Sequence, residues 1–357
     1  MSLPACHNDF VSDTCTVPTE SMIKSVALAS VGDDVYDTDT DTNDLEAKVS
    51  AMTGHEAGLY CVSGTLSNQI ALRSHLKQPP HSVLCDYRSH IITSEAGGLA
   101  TLSQAMYSAV IPSNGIHLTL QDIIDNYIPD DDNIHCAPTK VVSLENTLHG
   151  LIFPIDEIAK ISKWCHENNI ILHLDGARIW NASAATGISL KEYGQYFDSI
   201  SLCLSKSLGA PIGSILVGKK DFLKKANHFK KQNGGGIRQC GMLTRMATIA
   251  IDENFSKLPL VDRMTKEFSD YLESELGYVL FCPTQTNFVF LDLTKSKVDP
   301  AKIHEIGLKN KINVYGGRIA FHYQISEESL VNLRKTFKEA MDYSKEHPYN
   351  GKFSIYG

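Results

Sequence analysis

The sequence predicts an α/β protein with a large domain built on a mostly parallel sheet and a smaller C-terminal α+β domain. Three observations carry this. Short apolar runs alternate with helical periodicity through the middle of the chain, the texture of a parallel sheet covered by helices. Several of those runs are continuously apolar, as in strands buried on both faces. After about Asp252 the texture changes to charged helical stretches and isolated strand-like segments, and 357 residues exceed the usual size of one domain.

In chain order, residues 1–20 are expected to form an extended arm, 21–252 the large domain and 253–357 the small one. Apolar Leu59–Val62 leads into Ser63-Gly64-Thr65, after which Leu66–Leu76 reads as helix. Val83–Cys85, Val141–Leu144, Ile170–Leu174, Ile200–Leu204 and Ser214–Val217 read as strands bounded by turn and charge signals. Between two of them, Ile155–His166 places Ile155, Ile158, Ile161 and Cys165 on one helical face. The Lys219–Lys231 run reads as a solvated helix face. Beyond it come a charged helix over Asp262–Glu275, a strand-like Asn287–Leu293, a helix near Pro300–Asn310, a strand around Arg318–His322 and a final helix from Glu327.

Bulk properties exclude several classes. A net charge of −8 argues against nucleic-acid or anionic-membrane partners, which need a basic face. No stretch approaches the roughly 20 apolar residues of a membrane span. MSLPACHNDF lacks the basic and apolar regions of a signal peptide, so a cytoplasmic location is expected. The nine cysteines are scattered without a C-x-x-C pair, which predicts reduced thiols and no metal site.

Four segments carry chemistry together. Ser63-Gly64-Thr65 before a helix offers free backbone N–H groups and the positive end of the dipole, which suits a phosphate; alone, such a turn is more often a plain N-cap. In Leu172–Arg178, Asp175 stands at the C-terminal end of a strand, facing the ligand crevice of an α/β sheet. A carboxylate there can keep a pyridine nitrogen protonated; the plainer reading is a cap for the next helix. In Ser205–Gly209, Lys206 directly follows an apolar strand. Desolvation there favours a neutral amine, which can form a Schiff base with a carbonyl. Gly234-Gly235-Gly236 allows close backbone approach and Arg238 can clamp a phosphate, but no Walker or Rossmann pattern surrounds them.

The order phosphate turn, Asp, Lys, Arg resembles low-specificity threonine aldolases, particularly those of fungi. Matching pieces are Ser12-Asp13-Thr14, Val31–Tyr36, Val62–Thr65, Leu144–Thr147, His173–Arg178, Cys203–Lys206, Gly234–Gln239 and Arg318–His322, spread over essentially the whole chain. The resemblance implies an aspartate-aminotransferase-like large domain (fold type I), pyridoxal 5′-phosphate as cofactor, and retro-aldol cleavage of L-threonine and L-allo-threonine to glycine and acetaldehyde. It implies a homodimer-based assembly, often a dimer of dimers, with sites at subunit interfaces. It also implies roles. Lys206 is the Schiff-base lysine and Asp175 the partner of the pyridinium. Ser63, Gly64 and Thr65 hold the phosphate, Arg238 reaches in from a neighbour, and Ser205 and Arg178 also line the cofactor. His90 stacks on the ring. Ser12, Arg178 and Arg318 clamp the substrate carboxylate, His135 stands near the β-hydroxyl, and Tyr36 comes across the interface. The other twelve histidines read as hydrogen-bonded structural residues.

Two positions depart from the family pattern: Val11 where Arg is usual before Ser-Asp-Thr, and Asp37 where Gly is usual after Val-Tyr. Both lie beside proposed site residues. They keep open a second reaction, alanine racemization, because some fungal racemases resemble these aldolases. A third reading is a catalytically silent cofactor-binding protein.

Overall fold

The computed structural model describes residues 3–352; the first two residues of the expected arm and the last five of the expected small domain lie outside the described residues. Seven strands, β1 (Ala57–Cys61), β2 (Ser82–Asp86), β3 (Met106–Val110), β4 (Thr139–Glu145), β5 (Ile171–Asp175), β6 (Ser199–Cys203) and β7 (Ser214–Gly218), form one sheet in the order β1-β7-β6-β5-β4-β2-β3. Only β7 runs antiparallel to its neighbours. Every residue of β2, β6 and β7 is buried, which explains the unbroken apolar runs. β3 carries no such signal. It is an edge strand with Met106 62% and Tyr107 55% exposed, so no unbroken apolar run marks it in the sequence.

Helices cover both faces. Ile155–Glu167 buries Ile158, Ile161 and Cys165 as the periodicity requires, with Ile155 only partly covered. Gly64–His75 has no clean apolar face, because Ser67, Asn68, Gln69 and Ser74 are buried as well as Ile70 to Leu72. Lys220–Gln232 is largely solvated, with one correction. Lys230 is 2% exposed and its ammonium meets Asp34 Oδ2 at 3.0 Å. A run of lysines conceals one that faces inward to an acidic loop far away in sequence.

A second core lies beyond the sheet. β8 (Phe288–Phe290) and β9 (Arg318–Ala320) pair antiparallel, and helices Leu258–Tyr271, Pro300–Lys309 and Glu327–Glu346 accompany them. Val289, Ile319, Phe321 and Phe337 form its centre together with Phe10. The N-terminal segment is therefore not merely an extended arm. Phe10 N–H donates to the Asn313 carbonyl at 2.7 Å and Ala320 N–H to the Phe10 carbonyl at 2.8 Å, beside β9. Burying Phe10 completely stabilises this attachment by roughly 2–3 kcal/mol. The chain then turns through a short 3-10 segment, Asp13–Cys15, and passes between the two cores.

Candidate active site

The parallel strands end together, and three of them end in carboxylates: Asp86 on β2, Glu145 on β4 and Asp175 on β5, the last two paired in register. Asp175 is 3% exposed. A buried carboxylate is costly unless hydrogen-bonded. Asp175 Oδ1 accepts from Ala177 N–H at 3.0 Å, and Oδ2 accepts from Asn68 Nδ2 at 2.7 Å. The first bond closes a local turn two residues on, ahead of the helix that starts at Ile179, which has no side-chain cap; the second opens a chain of bonds that continues inward. Asn68 Oδ1 lies 3.3 Å from His173 Nε2, His173 Nδ1 lies 2.8 Å from Ser199 Oγ, and the same oxygen lies 2.8 Å from His75 Nε2. Burial pushes His173 down to about 4 and His75 down to about 3, so both imidazoles are neutral near pH 7. One sense of donation satisfies every atom. His75 donates to Ser199, Ser199 to His173 Nδ1, His173 Nε2–H to Asn68, and Asn68 to Asp175.

His90 opens a short helix after β2. Its N–H donates to Glu145 Oε2 at 2.9 Å, and its Nδ1 lies 2.8 Å from Glu95 Oε1. That bond to Glu95 raises the imidazole pKa. Nitrogen and oxygen atoms of His90, Glu95 and Asp175 lie within 4.8 Å of one another, so the expected ring-stacking histidine and pyridinium partner do come together. Burial, with Asp175 next to it, pushes Glu145 up to about 8.

Lys206 is half-buried in the turn between β6 and β7, just after half-buried Ser205. Its carbonyl accepts from Gly209 N–H at 2.8 Å and from Thr16 Oγ1 at 3.0 Å, so the arm fastens the lysine loop directly. Asp13 does more. Fully buried, it accepts from Arg178 through Oδ1 at 2.6 Å and Oδ2 at 2.8 Å, and from Ser207 Oγ at 2.9 Å and Asn287 Nδ2 at 3.2 Å. Burial opposes its ionisation, yet the Arg178 guanidinium, with Lys206 and Ser207, holds its carboxyl well below the usual range. Arg318 Nη1 donates to the Val11 carbonyl at 2.9 Å, and Arg178 and Arg318 each stand 4.7 Å from the Phe288 ring centre. Ser12 sits between these two anchor points and caps Thr14 N–H at 3.3 Å. The expected carboxylate clamp of Ser12, Arg178 and Arg318 is thus gathered by residues 11–13. Sequence reasoning passed over Asp13, Asn68, Glu95 and Glu145. For Asp13 the available signal was a carboxylate in Ser12-Asp13-Thr14, next to the serine expected to share a clamp with Arg178 and Arg318.

The expected phosphate turn, Ser63-Gly64-Thr65, lies against the strand that precedes Lys206. A Cβ on Gly64 would stand 2.6 Å from Cys203 Sγ, so only glycine fits there. Ser63 Oγ accepts from Leu66 N–H at 3.1 Å, and Thr65 is exposed at the N-terminus of the twelve-residue helix. The triple-glycine loop touches the same first turn, since a Cβ on Gly235 would stand 2.6 Å from Leu66 Cδ2. Arg238 on that loop pairs with Asp33 Oδ2 at 3.0 Å, and its carbonyl accepts from Asp34 N–H at 2.9 Å. Arg238 has a side chain 52% exposed and Tyr36 is 72% exposed. Asp37 adopts φ 56° and ψ 28°, a left-handed backbone that glycine takes freely and Asp tolerates, so the departure from glycine leaves the turn intact. His135 is on an exposed loop with its N–H bonded to Asn133 Oδ1 at 3.1 Å. Among the described residues no hydrogen bond joins His135, Tyr36 or Arg238 to the Lys206–Asp175 group.

An amine at a strand-end turn, a buried carboxylate across from it, a glycine cradle at a helix N-terminus and an imidazole beside the carboxylate form the donor set that pyridoxal 5′-phosphate requires. Together with this sheet they define a pyridoxal-phosphate enzyme of the aspartate-aminotransferase-like fold. The structure of Leishmania major threonine aldolase superposes with a TM-score of 0.75 at 22% identity, covering 95% of this chain and 99% of that one. The beta-eliminating lyase family model matches residues 9–296, and the chain belongs to that family, within the low-specificity L-threonine aldolases. It is similar to the low-specificity L-threonine aldolase of Eremothecium gossypii, 57% identical over 363 residues, spanning all of this chain and 95% of the relative. It is also similar to the alanine racemase TOXG of Cochliobolus carbonum, 34% identical over 354 residues, spanning 97% of this chain and 90% of the relative. Among the described residues no helix is long and apolar enough to cross a membrane.

Proposed function

We propose that this chain is a pyridoxal-phosphate-dependent aldehyde-lyase that cleaves L-threonine and L-allo-threonine to glycine and acetaldehyde. The observation that carries the reading is Asp175, ionisable, buried and doubly hydrogen-bonded at the strand end, in one group with His90 and near Lys206. Lys206 would carry the cofactor as a Schiff base, Asp175 would hold its pyridine nitrogen protonated, and Ser63, Gly64 and Thr65 would take its phosphate. When bound, pyridoxal phosphate supplies an electron sink conjugated to the substrate nitrogen. The protein does the remaining work. Arg178, oriented by Asp13, and Arg318, anchored on the Val11 carbonyl, fix the substrate carboxylate. Holding the carboxylate would fix which bond at Cα is presented for cleavage. A base takes the β-hydroxyl proton as Cα–Cβ breaks and acetaldehyde leaves; Cα is then protonated to give glycine. His90, with Glu95 holding Nδ1, is the imidazole in the assembled group, and His135 is the second candidate from its exposed loop.

We further propose that the working unit is at least a dimer, with Arg238 and Tyr36 completing a neighbour's site. Their exposure, their juxtaposition through the Asp34–Arg238 contact, and the exposed apolar Ile23, Leu28 and Val31 on the same stretch of chain support this. The same scaffold would racemise alanine by breaking Cα–H, and Val11 is the observation that keeps that reading. Incubation with L-threonine, L-allo-threonine and L-alanine, followed by chiral chromatography, tests the choice. Glycine and acetaldehyde are expected; intact threonine epimers with interconverted alanine would replace the aldolase with the racemase.

A further inference from the structure

Outside the catalytic group, three side chains of the kind that bind soft cations converge. Cys6 and Cys15 come from the N-terminal segment, and His322 follows the end of β9 by two residues. One donor atom from each, two sulfurs and an imidazole nitrogen, lie within 4.8 Å of one another. Cys15 Sγ stands 3.4 Å from His322 Nε2, across 307 positions of sequence. Cys6 and His322 are buried, while Cys15 is half-exposed and leaves a route from solvent. The surroundings are fixed and polar. Cys6 Sγ donates to Gln324 Oε1 at 3.0 Å, and Gln324 is itself tied to the Val17 N–H at 2.9 Å and the Val17 carbonyl at 2.8 Å. His322 Nε2–H donates to the Asp9 carbonyl at 2.9 Å, whereas its Nδ1 is buried with no hydrogen-bond partner.

We propose that Cys6, Cys15 and His322 form a binding site for a soft divalent cation of the zinc type. Two thiolates and an imidazole are ligands that zinc prefers, and they carry the two negative charges that neutralise it in a buried place. Zinc bonds of about 2.3 Å to sulfur and about 2.0–2.1 Å to nitrogen give tetrahedral ligand–ligand edges of roughly 3.5–3.8 Å. The Cys15–His322 separation already has about that length, and the remaining edges close by no more than about 1.3 Å. A hard cation is disfavoured, because no carboxylate belongs to the group. Binding deprotonates both thiols and uses the Nε2 lone pair, the imidazole proton moving to Nδ1. Each cation taken up therefore releases two protons to solvent. The consequence is positional. A cation here fastens residues 6–15, and with them Val11, Ser12 and Asp13, to the chain leaving β9.

The experiment uses holoenzyme reduced with a phosphine, stripped with a chelator, desalted and titrated with cobalt(II), then zinc. One equivalent of cobalt is expected to give the visible bands of a tetrahedral thiolate complex, abolished by one equivalent of zinc with release of two protons. Saturating zinc should raise the thermal midpoint by roughly 2–6 °C. Cys6→Ser and Cys15→Ser should lose both effects, and Cys136→Ser, which alters an exposed thiol elsewhere, should keep them. Equal metal-free midpoints in the three variants establish that folding is unaffected; if a serine variant is destabilised, the cobalt spectrum of the unmodified chain still reports the thiolates. Absence of thiolate bands, or bands that survive in Cys15→Ser, overturns the proposal. So does mass spectrometry showing Cys6 and Cys15 disulfide-bonded in protein isolated without reductant.

Discussion

Replacing Asn68 with leucine tests whether the buried chain behind Asp175 matters to the reaction. Leucine keeps the heavy-atom count and branching of asparagine with bulkier methyl groups in place of the amide, and all three amide hydrogen bonds, to Asp175, Glu95 and His173, vanish. Asp175 then keeps only the Ala177 N–H of its two donors. A hydrogen bond to a charged group contributes about 1.5–3 kcal/mol net, and its loss leaves one carboxylate oxygen buried without a donor. If that bond is fully needed to hold the carboxylate against the pyridinium in the transition state, kcat falls roughly 10- to 150-fold. With one donor fewer on Asp175, the spectrum of the bound cofactor should change its pH dependence. The assay is steady-state cleavage of L-threonine alongside a pH titration of cofactor absorbance. Asn68 also donates to Glu95 Oε1 at 3.0 Å, so Glu95→Gln serves as a comparison that perturbs His90 while leaving Asp175 both of its own donors. His173→Phe, one bond further back, should give the same spectral change with a smaller loss. Wild-type kcat and an unchanged titration in a folded Asn68→Leu protein would refute the reasoning.

Three further outcomes are expected. Lys206→Ala should leave the fold intact and abolish turnover, and borohydride reduction of the unmodified enzyme should leave the pyridoxyl group on Lys206; label on another lysine would displace the assignment. Mixing inactive Lys206→Ala with inactive Arg238→Ala subunits should restore about a quarter of wild-type activity, because each hybrid dimer rebuilds one complete site; no recovery after verified subunit exchange would place Arg238 in its own subunit's site or outside it. Asp262→Asn should stabilise the protein above pH 7 by about 2–4 kcal/mol, read from denaturant unfolding. Both Asp262 oxygens are buried without a partner, and burial pushes the group up to about 7, above its unfolded value near 3.8. The folded state therefore holds the proton longer than the unfolded state, stability falls as pH rises from about 4 to 7, and the asparagine variant should lack that fall.

The sheet was legible wherever a strand is buried on both faces, since an unbroken apolar run has few other causes. β3 was not, because an edge strand with exposed Met106 and Tyr107 need not look apolar. Lys206 and Asp175 were legible because each closes such a run, and a charged residue at that place needs a reason. Their supporting residues were hidden by chemistry of the opposite kind. Asn68 and His173 are polar residues inside apolar elements, and their partners lie 105 to 107 positions away. The convergence of Cys6 and Cys15 with His322 was invisible for the same cause, and scattered cysteines gave no hint of it.

Asp13 shows how the two cores become one site. It bonds Arg178 and Ser207, which belong to the sheet domain, and Asn287, which precedes β8. Its own segment is held beside β9 through Phe10 and Val11. An ionised carboxylate with no solvent exposure is stable only while all of these donors stay in place. Rotation of the small core away from the sheet would strip Asn287 and the Phe10 attachment from it and leave the Arg178–Asp13 pair to bear the desolvation alone. The proposed carboxylate clamp and the packing of the two cores therefore share the Asp13–Arg178 pair. A substrate carboxylate drawn to Arg178 would share that guanidinium with Asp13, so substrate binding and the packing of the two cores would be coupled through one charge.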